Sequence, residues 1–361
     1  MLRQLHNLPS GLLDCDASQI HRVLEGPTVL HLQGDRSPPM FVSVLQHGNE
    51  TTGWEAARRL LKRYRSGSLP RSLILLIANV EAARYGLRRL DHQPDFNRCW
   101  PGAPRSASPT QRALAELVDQ LREVDLFLSI DIHNNSGRNP HYAAVNRLRP
   151  EWIFLACQFD RRAVYFRHPK GTQSDAFSNL CPALTLECGQ ARNLDAVPHC
   201  LAFLEKAIRW ETLPSGFGEL DLRGFDLFQT IARTTVAPEV DFGFGDPDSD
   251  ISFLAEIEDL NFQRLAEGTV LGEVRRGQRG AIHALNSRGE DVTADFFKLD
   301  YGRLVVRRPF VPAMLSTDPR IVRQDCFCYV MEPLAIPQPR EDGAGEMADE
   351  VASLRKLRAE K

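Results

Sequence analysis

Apolar runs of strand length alternate with amphipathic stretches over the first two hundred residues. Four runs stand out, Phe41 to Gln46, Leu73 to Asn79, Leu126 to His133 and Ala183 to Glu187, and each ends in polar or ionisable groups. After the first, Thr51 or Thr52 can cap a helix in which Trp54, Ala57, Leu61 and Tyr64 recur at helical spacing while Arg58, Arg59, Lys62 and Arg63 face water; Gly67 and Pro70 stop it. Ser108-Pro109 starts a second helix with Leu114, Leu117, Val118 and Leu121 on one face. The alternation continues to about Trp210 and predicts an α/β fold, a mostly parallel (mixed) sheet with helices on both faces.

Past Leu213-Pro214-Ser215-Gly216 the texture changes to short β-like pieces broken by Gly, Pro and Asp, among them Phe242 to Asp248 and Arg275 to Gly280. The expected organisation is therefore a catalytic domain over residues 1–212, a smaller β-rich domain over 213–336 and a charged tail over 337–361. Within that tail a short helical pattern around Val351, Leu354 and Leu357 reads as a frayed surface helix.

With 361 residues, 43% of them apolar and 25% charged, the chain can bury a large core, and disorder is excluded for most of it. A net charge of -3 gives no field suited to nucleic acid or anionic lipid, which leaves a small-molecule or peptide substrate as the more natural partner. No run of apolar residues is long enough for a membrane span. The eight cysteines lack C-x-x-C spacing and mostly sit in apolar runs, as reduced thiols do, so a cytoplasmic location is expected. A homo-oligomer is possible, since nothing in the composition sets the number of copies.

His47 and Glu50 lie three residues apart where the first apolar run gives out, which suits two ligands of one zinc ion. In an open α/β sheet the carboxyl ends of the strands line one crevice, so His47, Asn79, His133 and Glu187 are expected to converge there. A catalytic zinc takes three protein ligands and keeps one position open; His133 is the candidate third, with Asp131 either bracing a ligand or capping the strand. Zinc lowers the pKa of water from about 15.7 to about 7, and Glu187 is the carboxylate expected to take the proton and hand it to the leaving nitrogen. Asn97 and Arg98 place an amide beside a guanidinium, a pair able to bind a carboxylate. Arg88 is the candidate for holding the developing oxyanion, and Asn134, next to the third ligand, is assigned to the substrate.

Taken together these segments resemble the succinylglutamate desuccinylase/aspartoacylase family of the zinc-carboxypeptidase superfamily. The matching pieces are Gln46 to Thr51, Asn79 through Gly86-Leu87-Arg88 to Asp95-Phe96-Asn97-Arg98, Asp131 to Asn134, Gly171-Thr172, and Leu184 to Gly189 followed by Gln190-Ala191-Arg192. The resemblance implies one zinc per chain held by His47, Glu50 and His133, Glu187 as general base, Asn97 and Arg98 on the substrate carboxylate, Arg88 on the oxyanion, and a smaller β domain that narrows the cleft. Three features depart from the family pattern. The stretch from Arg88 to Asn97 is about two residues long, which brings Arg89 into consideration; Asn134-Asn135-Ser136-Gly137 differs from dedicated desuccinylases; and the aspartoacylase tyrosine has only Tyr301 as its candidate.

The activity so implied is zinc-dependent hydrolysis of the amide bond of a small N-acyl amino acid. Two alternatives remain at this point, a zinc carboxypeptidase acting on small peptides and a catalytically silent binding protein on the same fold.

Overall fold

The computed structural model describes residues 2–104, 108–167, 169–191, 193, 195–275 and 282–336. The expected tail over 337–361 lies outside the described residues, as do Arg192 and residues 276–280 of the Gly- and Arg-rich piece.

Each of the four apolar runs supplies a strand: Met40–Val44, Leu73–Ile77, Leu128–Asn135 and Ala183–Gln190. They lie side by side and parallel in the order Leu73–Ile77, Met40–Val44, Leu128–Asn135, Ala183–Gln190, at the centre of a twelve-stranded sheet. Thr28–Leu32 joins antiparallel on one side and His141–Val145 antiparallel on the other, so the sheet is mixed. Strand Arg162–Tyr165 follows, then Asp226–Val236, against which Cys328–Pro333 pairs antiparallel. The chain after residue 213 thus lends strands to the edge of the large sheet. It also folds a separate five-stranded sheet, in the order Phe242–Phe244, Ile251–Phe253, Val270–Val274, Arg303–Val306, Phe297–Asp300, around Phe253, Phe296, Phe310 and Phe327.

Side chains of a strand alternate between faces, and here the two faces differ in chemistry. Val42, Val44, Ile130, Ile132, Leu184 and Leu186 point to a fully apolar layer covered by the helices Thr52–Arg63, Pro150–Phe159 and Ala196–Ala207. Helix Thr52–Arg63 inserts Trp54, Ala57 and Leu61 of the stripe its sequence predicted, with Leu60 beside them, and Tyr64 packs partly buried against the same core. On the opposite face Phe41, Ile74, Leu76 and Ala183 pack against Leu114, Leu117, Val118 and Leu121 of helix Pro109–Arg122. Further along that same face the side chains turn polar. Ser43 stands beside Asp131, Asp131 beside Thr185, and His133 beside Glu187 in register.

The strands run past the points where their apolar patterns end. Leu128–Asn135 continues two residues beyond His133, and Ala183–Gln190 three beyond Glu187. Asn135 pairs with Gln190 although His133 pairs with Glu187, so the second strand holds one extra residue there. Such a bulge re-aims side chains locally without ending the ladder. Thr51 occupies the N-cap of helix Thr52–Arg63 but its side chain makes no cap hydrogen bond; the Thr52 N–H donates instead to Asn134 Oδ1 at 3.2 Å. No helix among the described residues is long and apolar enough to cross a membrane.

Candidate metal centre and cleft

Strand Met40–Val44 delivers its loop through a tight turn. Leu45 is held at φ 57 although it is fully buried, a left-handed conformation that costs energy for a branched residue and clusters at functional sites. Two residues on, Gly48 presses so closely on the helix Val80–Tyr85 that a Cβ there would fall 2.2 Å from the Ala83 backbone nitrogen. Only glycine fits at position 48, and the Gly48 N–H is satisfied by the Arg88 carbonyl at 3.1 Å.

His47, Glu50 and His133 converge as buried donors whose ligand atoms all lie within 4.8 Å of one another. Each imidazole presents Nδ1 to a different oxygen of Glu50, His47 at 2.8 Å to Oε1 and His133 at 2.7 Å to Oε2. Each imidazole also has its far nitrogen on an aspartate: His47 Nε2 lies 3.1 Å from Asp95 Oδ1, and His133 Nε2 lies 2.9 Å from Asp131 Oδ2. Carboxylates in that position fix the orientation and basicity of metal-bound histidines. Asp131 is fully buried and also accepts from Ser43 Oγ at 2.7 Å and Gln46 Nε2 at 2.6 Å. Its side chain thus stands behind a candidate ligand, held by three side-chain contacts.

Burial opposes the charge on Glu50, but the two imidazoles outweigh it and hold the carboxyl well below the usual range. Burial likewise opposes a charge on His133, yet Asp131 and Glu50 prevail and raise its pKa. Glu187 goes the other way. Burial, reinforced by Glu50 and Asp131 against the two histidines, pushes it up to about 7, and among the described residues its hydrogen-bond donor is Asn135 Nδ2 at 2.5 Å. Two imidazoles and one ionised carboxylate, each imidazole braced from behind, are a donor set suited to a catalytic zinc.

These residues open into a cleft of about 750 Å³, counting the space at its mouth. Arg88 reaches it, with Nη1 donating to Glu50 at 3.3 Å and Nη2 to Asp95 at 3.2 Å; Arg89 instead donates to the Gln93 carbonyl at 3.1 Å. Arg98 also lines the cleft, donating to the Asn97 carbonyl at 2.9 Å. The Asn97 amide is engaged inward, with Nδ2 3.1 Å from His133 Nε2 and Oδ1 accepting from the Gln173 N–H at 3.1 Å. Asn134 lines the cleft as well, while its Nδ2 donates to Thr52 Oγ1 at 2.9 Å and the Gly189 carbonyl at 3.0 Å and its N–H to Glu50 at 3.2 Å. Asn79, expected in the crevice, caps the helix Val80–Tyr85 by accepting from the Ala82 N–H at 3.0 Å.

Several cleft residues carry no signal in the local sequence pattern. Asp95 sits in the quoted Asp95 to Arg98 motif and could have been weighed as a partner of His47. Tyr142 and Val164 come from neighbouring strands, and Ala313, Met314, Asp325, Tyr329 and Met331 come from the C-terminal part, so that part does wall the cleft. Tyr301 stands fully exposed on a turn and does not line it.

The comparisons with known proteins agree with this geometry. Residues 38–201 match the succinylglutamate desuccinylase/aspartoacylase catalytic domain. The chain is 26% identical over 312 residues to the succinylglutamate desuccinylase of Pseudomonas paraeruginosa, an alignment covering 76% of this chain and 86% of that protein. Among solved structures, the succinylglutamate desuccinylase of Chromobacterium violaceum superposes with a TM-score of 0.55 at 19% identity, covering 84% of this chain and 86% of the other. Murine aminoacylase 3 superposes with a TM-score of 0.53 at 17% identity, covering 83% and 97%. At such identities the two structures speak for the fold. Residues 38–201 are thus similar in sequence to the succinylglutamate desuccinylase/aspartoacylase catalytic domain, and the chain around them is similar in fold to a succinylglutamate desuccinylase.

Proposed function

We propose that the protein is a zinc-dependent amidohydrolase that removes the acyl group from a small N-acyl amino acid. The observation that carries the reading is the joint placement of His47, Glu50 and His133 as a buried donor triad with Glu187, its pKa raised to about 7, on the same cleft. A carboxyl group poised near neutrality can both accept and return a proton, which one held at its ordinary value does poorly. The curated relative supports the class, since it is named as a desuccinylase.

His47, Glu50 and His133 would hold one zinc per chain, and zinc supplies Lewis-acid polarisation of a carbonyl and activation of water at neutral pH. Glu187 accepts the proton of the attacking water on its carboxylate. It then delivers that proton to the leaving nitrogen, so that amide and water become carboxylic acid and amine. Arg88, held by Asp95 and Glu50, donates to the carbonyl oxygen as negative charge develops there. Arg98, the more exposed of the two cleft arginines, takes the carboxylate of the amino acid, and Asn97 steadies His133 from behind. The eight free cysteines, six of them buried, favour a reducing cytoplasmic setting.

The test is a panel of N-acetyl, N-succinyl and N-formyl amino acids incubated with zinc-loaded protein and scored by free amine. Release from at least one is expected, with one zinc per chain by metal analysis. Release from none, or faster trimming of peptides of ten or more residues, would remove this reading.

A further inference from the structure

Asp325 follows helix Pro319–Gln324 in the C-terminal part and points into the cleft that holds the donor triad. Its carboxylate lies 4.0 Å from Arg88 Nη2 and 3.7 Å from Arg98 Nη2, and it is 13% exposed, so these contacts are poorly screened. Arg233 fastens it from outside, with Nη2 3.7 Å from Asp325 Oδ1 and a hydrogen bond to the Asp325 carbonyl. Arg88 and Arg98 are the two arginines among the described lining residues, no lysine is among them, and three carboxylates, Glu50, Asp95 and Asp325, already face that pair. One substrate carboxylate can be taken by Arg98, which is 32% exposed. A second would enter with no cation left to meet it, and an unpaired buried carboxylate is strongly disfavoured.

The floor of the cleft agrees with this count. Glu187 pairs in register with Tyr142 on the next strand, and beyond it stand Val164 and Phe166, with Tyr329 and Met331 from the C-terminal strands. A chain that leaves the reacting bond on that side meets a largely aromatic and aliphatic surface, with the hydroxyl groups of Ser174, Thr185 and Thr230 among it.

We infer that Asp325 is a specificity-determining residue that restricts the enzyme to N-acyl amino acids whose acyl chain is uncharged and apolar, excluding a dicarboxylic acyl group such as succinyl. The inference rests on the hydrolase reading above and adds the charge of the acyl end to it. It separates this chain from the substrate after which its desuccinylase relatives are named.

Matched acyl groups provide the experiment. N-butyryl, N-succinyl and N-(monomethylsuccinyl) derivatives of glycine, leucine, phenylalanine and glutamate are compared on zinc-loaded wild-type protein. The first two differ by a terminal methyl against a carboxylate, and the third keeps the length of succinyl without its charge. Wild type is expected to favour the uncharged groups by at least ~10-fold in kcat/KM on whichever amino acid is best. In D325N that ratio should shift by ~10-fold towards succinyl, because a carboxylate that offsets the Arg88–Arg98 pair and repels a second substrate carboxylate is then removed; a merely structural role would lower all three rates and leave the ratio unchanged. D325S gives the same readout should D325N fold poorly. Equal wild-type rates on succinyl and monomethylsuccinyl, or an unchanged ratio in both variants, overturns the inference while leaving the hydrolase reading intact. Hydrolysis of none of the compounds overturns both.

Discussion

Asp95 and Asp131 offer the sharpest test of the metal centre, because neither is a proposed ligand and each touches one that is. In Asp95→Asn the side chain keeps its shape and its acceptor for the Asn97 N–H, now 2.9 Å away, but replaces a charged acceptor by a neutral one 3.1 Å from His47 Nε2. Loss of such a brace costs about 10- to 100-fold in metal affinity, which is about 1.4 to 2.8 kcal/mol. The upper half of that range is expected, since Asp95 is held well ionised against burial by His47, Arg88 and Arg98, and its full charge is what the substitution removes.

Asp131→Asn should cost more. Asp131 is fully buried and accepts from Ser43 Oγ, Gln46 Nε2 and His133 Nε2, so an amide would turn its own N–H towards at least one of three donors. A stranded buried donor adds about 1 to 3 kcal/mol of lost stability to the metal effect. Zinc affinity is read by competition with a chromophoric chelator at fixed pH, and stability by thermal melting of the metal-free protein. Asp95→Asn, whose amide also turns an N–H towards Arg88 Nη2, should lower affinity with a smaller loss of melting temperature than Asp131→Asn, which should lower both strongly. If Asp95→Asn binds zinc within twofold of wild type while His47→Ala has lost it, the bracing argument is wrong.

Glu187→Gln removes the proton acceptor but keeps the contact to Asn135, so turnover should fall by at least ~10²-fold with zinc content unchanged; activity within a few fold of wild type would exclude Glu187 as the base. Zinc at about a thousand times its dissociation constant should stabilise the native state by about 4 kcal/mol, seen as a rise in melting temperature that His133→Ala abolishes. Gly48→Ala should destabilise by roughly 3 kcal/mol or more, the top of the usual overpacking range, and weaken zinc binding, because the Cβ meets Ala83 backbone at 2.2 Å; normal melting and zinc content would mean the loop has room. Burial pushes the thiols of Cys99 and Cys157 up to about 11 and about 12, which disfavours the reactive thiolate, so at pH 8 a thiol reagent should label neither quickly while all eight react after denaturation.

The polar ends of the four apolar runs were readable from sequence because strand alternation is a local property: in Ser129-Ile130-Asp131-Ile132-His133 the isoleucines demand one buried face and so commit Asp131 and His133 to the other. The helix stripe at Trp54, Ala57 and Leu61 is legible for the same reason. Strand ends were less so, since backbone pairing carries the ladder on through Asn134 and Asn135 regardless of polarity. What sequence could not supply is which distant segment supplies each partner. Thr52 takes its cap from Asn134, Asn97 turns to His133, and Asp325 reaches Arg88 and Arg98 from a segment more than two hundred residues further along the chain, pairings that exist only once the sheet has assembled.

Glu50 and Glu187 show how far environment goes beyond residue type. Both follow apolar runs and both face the same cleft; the spacing of Glu50 from His47 marks it as a ligand candidate, but residue type does not say why one carboxylate stays ionised and the other does not. The difference arises from what surrounds each carboxylate. Glu50 has an imidazole on either oxygen together with Arg88 and the Asn134 N–H, so its charge is met from four sides and stays on the group even though it is buried. Glu187 has, among the described residues, the neutral donor Asn135 and two acidic neighbours in Glu50 and Asp131, so burial keeps the upper hand and its pKa settles near 7. Two titratable groups driven apart in this way take complementary roles, the permanently ionised one suited to hold a cation and the near-neutral one to carry a proton. On the same logic, Asn135→Asp would add a negative charge directly against Glu187 and raise its pKa further, so the rise of kcat/KM with pH should move to higher pH; a profile that stays in place would show that Glu187 is not the group titrating in it.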